Sequence, residues 1–227
     1  MVVPVRLGSP DLRGSPDLRG DAMTRRPETL EFWVGRLPHW EVAEGRYFVT
    51  LHLAGAIPQA GMERVHAIAA ELQRIPKSDE ASRLEVCRRV FAAMEAWLDR
   101  AEQVTHLREP EVASVVMEAI RHRQGRVWQM FEFVVMPNHV HLFFELATSG
   151  LKSAMEQFKR WTGHEAAKVL GSSGIGFWQD EWFDHWSRSD EEDERIVQYI
   201  RRNPEKAGLV ANYLDWPYGG WSQRPAQ

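Results

Sequence analysis

Two periods of hydrophobic residues run through the chain. Arg46, Tyr47, Phe48, Val49, Thr50, Leu51, His52 and Leu53 form a β-branched and aromatic run that predicts a strand. Helices are expected over 62–75 and 80–102, separated by a break at 76–79. The second places Leu84, Val86, Val90, Phe91, Met94, Trp97 and Leu98 near helical spacing. Pro110 suits the first turn of a further helix running to His122, ended by Gln124 and Gly125. Residues 127–136 read as a strong strand and 139–146 as a second. Pro137 and Asn138 make a tight break between them, so the two are expected to form an antiparallel hairpin. A helix over 151–170 mixes Lys152, Lys159, Arg160 and Lys168 with apolar residues. A flexible loop follows over 171–176, and a short strand falls within 182–188. Ser189 is a good N-cap with Glu192 three residues on, the spacing of a capping box, and the acidic run 190–194 suits the positive end of a helix. That helix carries Ile196, Tyr199 and Ile200, and Pro204 is expected to stop it near Asn203. Residues 207–221 read as an irregular tail laid over the body.

The order strand, helices, strand, strand, helix, strand, helix predicts an α+β fold. Its expected form is an antiparallel sheet with helices packed on one face, in a ferredoxin-like or RRM-like layout. Ahead of it, Gly8-Ser9-Pro10-Asp11-Leu12-Arg13 repeats as Gly14-Ser15-Pro16-Asp17-Leu18-Arg19. This stretch has little to bury, so residues 1–22 are expected to be a disordered tail, with Met23 a candidate biological start. Residues 23–227 then form a single domain.

Composition narrows the function classes modestly. At 227 residues with 44% hydrophobic and 26% charged, the chain is long enough for a sizeable core. No apolar run spans a bilayer and no signal peptide opens the chain, so the expected location is cytoplasmic and no membrane partner is implied. The single cysteine, Cys87, excludes an internal disulfide. A net charge of −4 argues against a simple nucleic-acid coat protein, yet a local basic groove is sufficient for a DNA enzyme. Ten tryptophans can fill a core or stack on unpaired bases.

The chemistry concentrates at Met136-Pro137-Asn138-His139-Val140-His141-Leu142. Side chains alternate along a strand, so His139 and His141 share one face, where two imidazoles can chelate one divalent ion. Alone, the pair is equally compatible with two structural histidines on a half-exposed strand. Tyr199 and Asn203 are four residues apart on one helix face, presenting a phenol nucleophile beside a neutral oxygen ligand. Alone, these read more simply as a packing tyrosine and a helix-ending asparagine.

Together the elements carry a resemblance. Val135 to Leu142 resembles the His-hydrophobic-His signature of single-strand tyrosine transposases, the HUH class. The stretch YIRRNPEKAGLV, from Tyr199 to Val210, resembles the family's catalytic helix and the turn after it. Phe177-Trp178-Gln179 and Phe183-Asp184-His185 resemble the segment before that helix, and Asp215-Trp216-Pro217 the closing motif, although Gly219-Gly220-Trp221-Ser222 departs from its usual continuation. The best match is to transposases associated with repetitive extragenic palindromes (REP), over roughly 46–222. Residues 59–109 are the least typical part and read as a helical insertion.

The resemblance implies an HUH nuclease fold and a divalent metal, Mg or Mn, held by His139, His141 and Asn203. It implies a Tyr199 nucleophile that forms a 5′-phosphotyrosine, and single-stranded hairpin DNA as partner, in transposition or REP-element mobilisation. Either a monomer or a homodimer fits, since a relative's dimer can pair the His strand of one chain with the Tyr helix of another. Lys159, Arg160 and Arg188 are candidate phosphate contacts and Trp178, with Trp161, a candidate base-stacking residue. His185 is a candidate for orienting a metal ligand. A domesticated, non-catalytic hairpin-DNA-binding protein is the alternative. A water-using metal hydrolase and a relaxase are further rivals. Relaxases usually place the tyrosine before the His pair, and here it follows. No base for activating Tyr199 is legible in the sequence.

Overall fold

The computed structural model describes residues 25, 27–34, 37–101, 103–147, 150–172 and 176–221. The repeat-bearing tail and Met23 lie outside them. The elements are β1 (Thr29–Val34), β2 (Pro38–Val42), β3 (Arg46–His52), α1 (Gln59–Ala69), α2 (Glu80–Leu98), α3 (Pro110–His122), β4 (Trp128–Val135), β5 (His139–Leu146), α4 (Leu151–Val169), β6 (Phe183–Trp186) and α5 (Asp190–Lys206).

Four strands form one sheet in the order β4-β5-β3-β6, and every neighbouring pair is antiparallel. The path β3, α3, β4, β5, α4, β6 is a ferredoxin-like β-α-β-β-α-β unit, and the α+β expectation holds. The β4–β5 hairpin forms as expected, closing where Met136 N–H donates to the His139 carbonyl at 2.8 Å. The sequence reading missed β1 and β2, which pair as a separate two-stranded sheet.

Helices cover both faces of the sheet rather than one. Alternation sends Tyr47 and Phe144 to one side, where Trp128 sits 5.2 Å from Phe144 and 5.6 Å from Phe158 of α4. The Trp128 indole donates to the Ile120 carbonyl in α3, so α3 and α4 share that face. Phe48 points to the opposite side, against Phe91 of α2 at 5.4 Å and Tyr199 of α5 at 5.9 Å. Both faces of β3 and β5 are apolar, with Tyr47, Phe48, Val49, Leu142, Phe143 and Phe144 at most 1% exposed, so each face requires a cover. The tail after α5 lies along β4, where Val135 N–H donates to the Tyr218 carbonyl and Gly220 N–H to that of Phe133. Among the described residues no helix is long and apolar enough to cross a membrane.

Helix α5 differs from expectation at both ends. Pro204 lies inside it and does not stop it at Asn203, because the proline removes only the hydrogen bond from position 204 to the carbonyl of 200. Ala207 N–H still donates to Asn203 at 3.0 Å and closes the last turn. Only half of the capping box forms. Ser189 Oγ accepts from Glu192 N–H, whereas the Glu192 carboxylate accepts from Arg188 N–H at 2.6 Å and contacts His185 Nε2 at 2.8 Å.

One buried ion pair ties the small sheet to the large one. His39 of β2, 2% exposed, binds Asp184 of β6 through Nδ1, with Glu181 3.7 Å from Nε2. Burial alone pulls this imidazole down, but the two carboxylates outweigh it and hold its pKa at about 9. A histidine held above its unfolded value of 6.5 adds stability that is complete below pH 6.5 and is lost as pH rises through 9. The melting temperature is therefore expected to decline across pH 6.5–9, and Asp184→Asn to flatten that decline in differential scanning fluorimetry. An unchanged pH profile in Asp184→Asn would refute the assignment.

Candidate metal and nucleophile site

His139 and His141 lie on the face of β5 that looks toward α2 and α5, 2% and 0% exposed. Their rings are 4.6 Å apart, with the two Nε2 atoms separated by 3.1 Å. Burial, the other nearby imidazoles and Lys206 hold both rings neutral, His139 at about pKa 3 and His141 well below its ordinary value. Neutral imidazole is the form that binds metal.

Asn138 decides which nitrogen of His139 is free. Its side-chain nitrogen donates to the Leu98 carbonyl at 2.8 Å and to the Ala101 carbonyl at 3.2 Å, at the end of α2. Its oxygen therefore faces His139 Nδ1, 2.5 Å away, and an amide oxygen only accepts. The Nδ1 atom must carry the proton, which leaves the Nε2 lone pair directed at His141. Thr50 Oγ1 holds His141 Nδ1 from the neighbouring strand at 2.9 Å. A separation of 3.1 Å is about what two imidazole nitrogens have when each lies roughly 2.1 Å from one shared ion.

Helix α5 brings Tyr199 and Asn203 to the same place. The Tyr199 ring is 5.4 Å from that of His141, boxed by Phe48 and Phe91, and Asn203 Nδ2 is 3.2 Å from His141 Nε2. The pairing of His strand and Tyr helix expected from the sequence thus occurs within one chain.

Sequence reasoning missed Glu95. This residue of α2, 2% exposed, accepts a hydrogen bond from the Tyr199 hydroxyl through Oε2. Its other oxygen, Oε1, is buried without a hydrogen-bond partner and lies 3.7 Å from His141 Nε2. One donor atom each from Glu95, His139 and His141 lies within 4.8 Å of the others, a spacing that fits a metal ion. Burial raises the Glu95 carboxyl to about pKa 7, against the opposing hydrogen bond from Tyr199 and the charge of Lys206. Burial, then the Glu95 charge, raises the Tyr199 phenol well above 10. The signal in the sequence was an acidic residue on an apolar helix stripe with Phe91, Met94 and Leu98. Such a residue is seldom buried unless partnered.

The other expected site residues are more scattered. His185 of β6 is bound to Glu192. The Arg188 guanidinium is buried, bonded to Glu80 and stacked on Trp186 at 4.0 Å. Trp178 is 6% exposed and donates to Thr162 Oγ1 at 2.8 Å. Lys159 donates to the Asp180 carbonyl and lies over Trp182, whereas Arg160 is exposed on α4 beside Trp161, 43% exposed. Next to His139 a cavity of about 440 Å³ opens between the end of α2 and the Pro137–Asn138 turn. The exposed side chain of Arg108 is on its wall.

Comparison with known proteins agrees with the resemblance read from the sequence. Residues 97–203 match the family described as "Transposase IS200 like". The chain is 25% identical over 118 residues to the REP-associated tyrosine transposase of Escherichia coli (strain K12), covering 49% of this chain and 68% of that one. It is 28% identical over 97 residues to a putative REP-associated tyrosine transposase of Haemophilus influenzae, covering 38% of this chain and 55% of that one. A solved structure of a REP-associated tyrosine transposase bound to a REP hairpin aligns at TM-score 0.48 and 17% identity, over 80% of this chain and 79% of that one. The family match contains His139, His141, Tyr199 and Asn203, and begins two residues after Glu95.

Asn138→Ala leaves the buried His139 Nδ1–H without its acceptor and removes one of the two donors to the Leu98 carbonyl, the other being Ala101 N–H at 3.3 Å. Urea unfolding should show a loss of about 1–3 kcal/mol. A loss below about 0.5 kcal/mol would show that Asn138 does not fasten the junction.

Proposed function

We propose that this chain, a relative of the REP-associated tyrosine transposases, binds structured single-stranded DNA and cuts and rejoins it through Tyr199. The observation that carries this reading is the convergence of three elements. The His139–His141 pair, the Tyr199 phenol and the Asn203 amide meet at one buried point, inside the stretch that matches the transposase family.

The residues present fit a divalent ion, Mg or Mn, because neutral imidazoles and an unpartnered carboxylate oxygen converge where a cation would balance them. His139, His141 and Asn203 are the residues that would hold it, and it would supply charge to polarise the scissile phosphate. Tyr199 attacks phosphorus, so its oxygen–phosphorus bond forms as the bond to the 3′ oxygen breaks. The phenol gives up one proton and the 3′ oxygen gains one, leaving a 5′-phosphotyrosine and a free 3′-OH. Attack by a 3′-OH reverses the step and joins strands without ATP. The cavity beside His139 is the approach we infer for the backbone, with Arg108 offering charge to phosphate. Lys159, Arg160 and Arg188 are our further candidates for phosphate contacts, and Trp178 for stacking. We read 59–109 as a helical insertion in a single domain over 23–227. Hairpin DNA is the substrate class inferred from the relatives' association with REP elements.

A second reading, hairpin binding without cutting, draws on one observation. The Tyr199 ring is 7% exposed and its hydroxyl is held by Glu95. Cutting then requires the α2–α5 contact to open.

Tyr199→Phe removes only the phenol oxygen, so hairpin binding should persist while cleavage and the covalent protein–DNA adduct vanish on a denaturing gel. His139→Ala, His141→Ala or EDTA should also abolish cleavage, and Asn203→Ala should lower it with partial recovery at higher Mn2+. Nicking by Tyr199→Phe at the wild-type site and rate would make water the nucleophile. A wild-type protein that binds hairpins but never cuts them would establish the second reading.

Binding by gel shift should favour a hairpin over a blunt duplex of unrelated sequence, and it should weaken as salt rises because phosphate contacts release counterions. Equal affinity for the two at moderate salt would count against structured single strands as the ligand.

A further inference from the structure

The carboxylate of Glu95 touches both halves of the site. Its Oε2 holds the Tyr199 hydroxyl, and its Oε1, buried and without a partner, lies 3.7 Å from His141 Nε2. A buried carboxylate oxygen that no donor reaches is a position a cation can fill. The cation beside the site, Lys206, is paired with Asp99 at 3.0 Å and lies over the Tyr199 ring at 5.9 Å. The place a cation would occupy is therefore between Oε1 and the two Nε2 atoms, where all three donors come within 4.8 Å of one another.

Resting on the function proposed above, we infer that Glu95 is a direct ligand of the divalent ion and at the same time the residue that positions the Tyr199 phenol. Hard cations such as Mg and Mn prefer charged oxygen, which neither the imidazoles nor the Asn203 amide supplies. Helix α2 delivers it. The position is fixed one turn further on, where Asn138 binds the Leu98 and Ala101 carbonyls. Because Glu95 precedes the family-matched stretch, the helix over 80–98 adds to this chain's centre a ligand outside that match. One carboxylate shared by ion and phenol couples metal occupancy to the freedom of the nucleophile.

The test is calorimetric titration of the full chain with Mn2+, without DNA. Glu95→Gln keeps the side-chain shape and an oxygen that can accept from Tyr199 but removes the charge. It should weaken Mn2+ binding by ~10-fold or more, whereas Tyr199→Phe, which leaves the carboxylate in place and frees its Oε2, should still take up Mn2+. Wild-type affinity in a folded Glu95→Gln would overturn the inference, as would a wild-type chain that takes up no Mn2+. Should Glu95→Gln fail to fold by circular dichroism, Glu95→Asp decides instead. Its shorter reach should also weaken binding, and unchanged affinity again overturns the inference. The wider reading fails separately. A chain that binds Mn2+ through Glu95 yet never cuts a hairpin keeps this ligand and loses the transposase activity. One that cuts while Glu95→Gln binds Mn2+ normally does the reverse.

Discussion

The side chain of Asn138 is the junction on which the centre depends. Its nitrogen clamps two carbonyls at the end of α2, and its oxygen takes the Nδ1 proton of His139. The same amide thus docks a helix onto the sheet and selects the imidazole tautomer that presents a lone pair. A helix seated one turn differently would carry Glu95 away from His141 and Tyr199. The junction lies in the two-residue turn between β4 and β5, so the hairpin that aligns the histidines also fixes what faces them.

Around that junction the site is a buried, low-dielectric pocket that brings two imidazoles, a phenol and a carboxylate together. Burial suppresses protonation of the two imidazoles, discourages ionisation of the phenol and raises the Glu95 carboxyl. Phe48 and Phe91 complete the walls, stacked or edge-on against His141 and Tyr199. A cation would lower the cost of ionising both Glu95 and Tyr199 in one event.

The fold's remaining parts serve to close this pocket. Helices α3 and α4 cover the opposite face of the sheet, leaving α2 and α5 to meet over His139 and His141. The buried His39–Asp184 pair holds the small β1–β2 sheet against β6. The cavity beside His139 interrupts the enclosure where Arg108 stands at its edge.

Much of this was legible in the residue order, because it rests on local rules. Alternation along β5 puts His139 and His141 on one face wherever the strand is placed. Helical spacing does the same for Tyr199 and Asn203, and the succession of elements implies the ferredoxin-like unit. The rest required tertiary contact. Strands β1 and β2 gain definition from a long-range ion pair that their short, mixed pattern does not announce. Pro204 is accommodated because its cost falls on a single bond near the helix end. The two-sided covering of the sheet follows from which faces α2 and α5 find in space. Glu95 stands apart in this respect. Sequence alone marks it as an acid on an apolar stripe, and nothing local says what it meets. Only the packing of α2 against β5 and α5 brings it to a histidine 46 residues onward and a tyrosine 104 residues onward. Local periodicity determines which side chains share a face. Which faces meet is decided by burial and by hydrogen bonds between distant segments, such as those of Asn138.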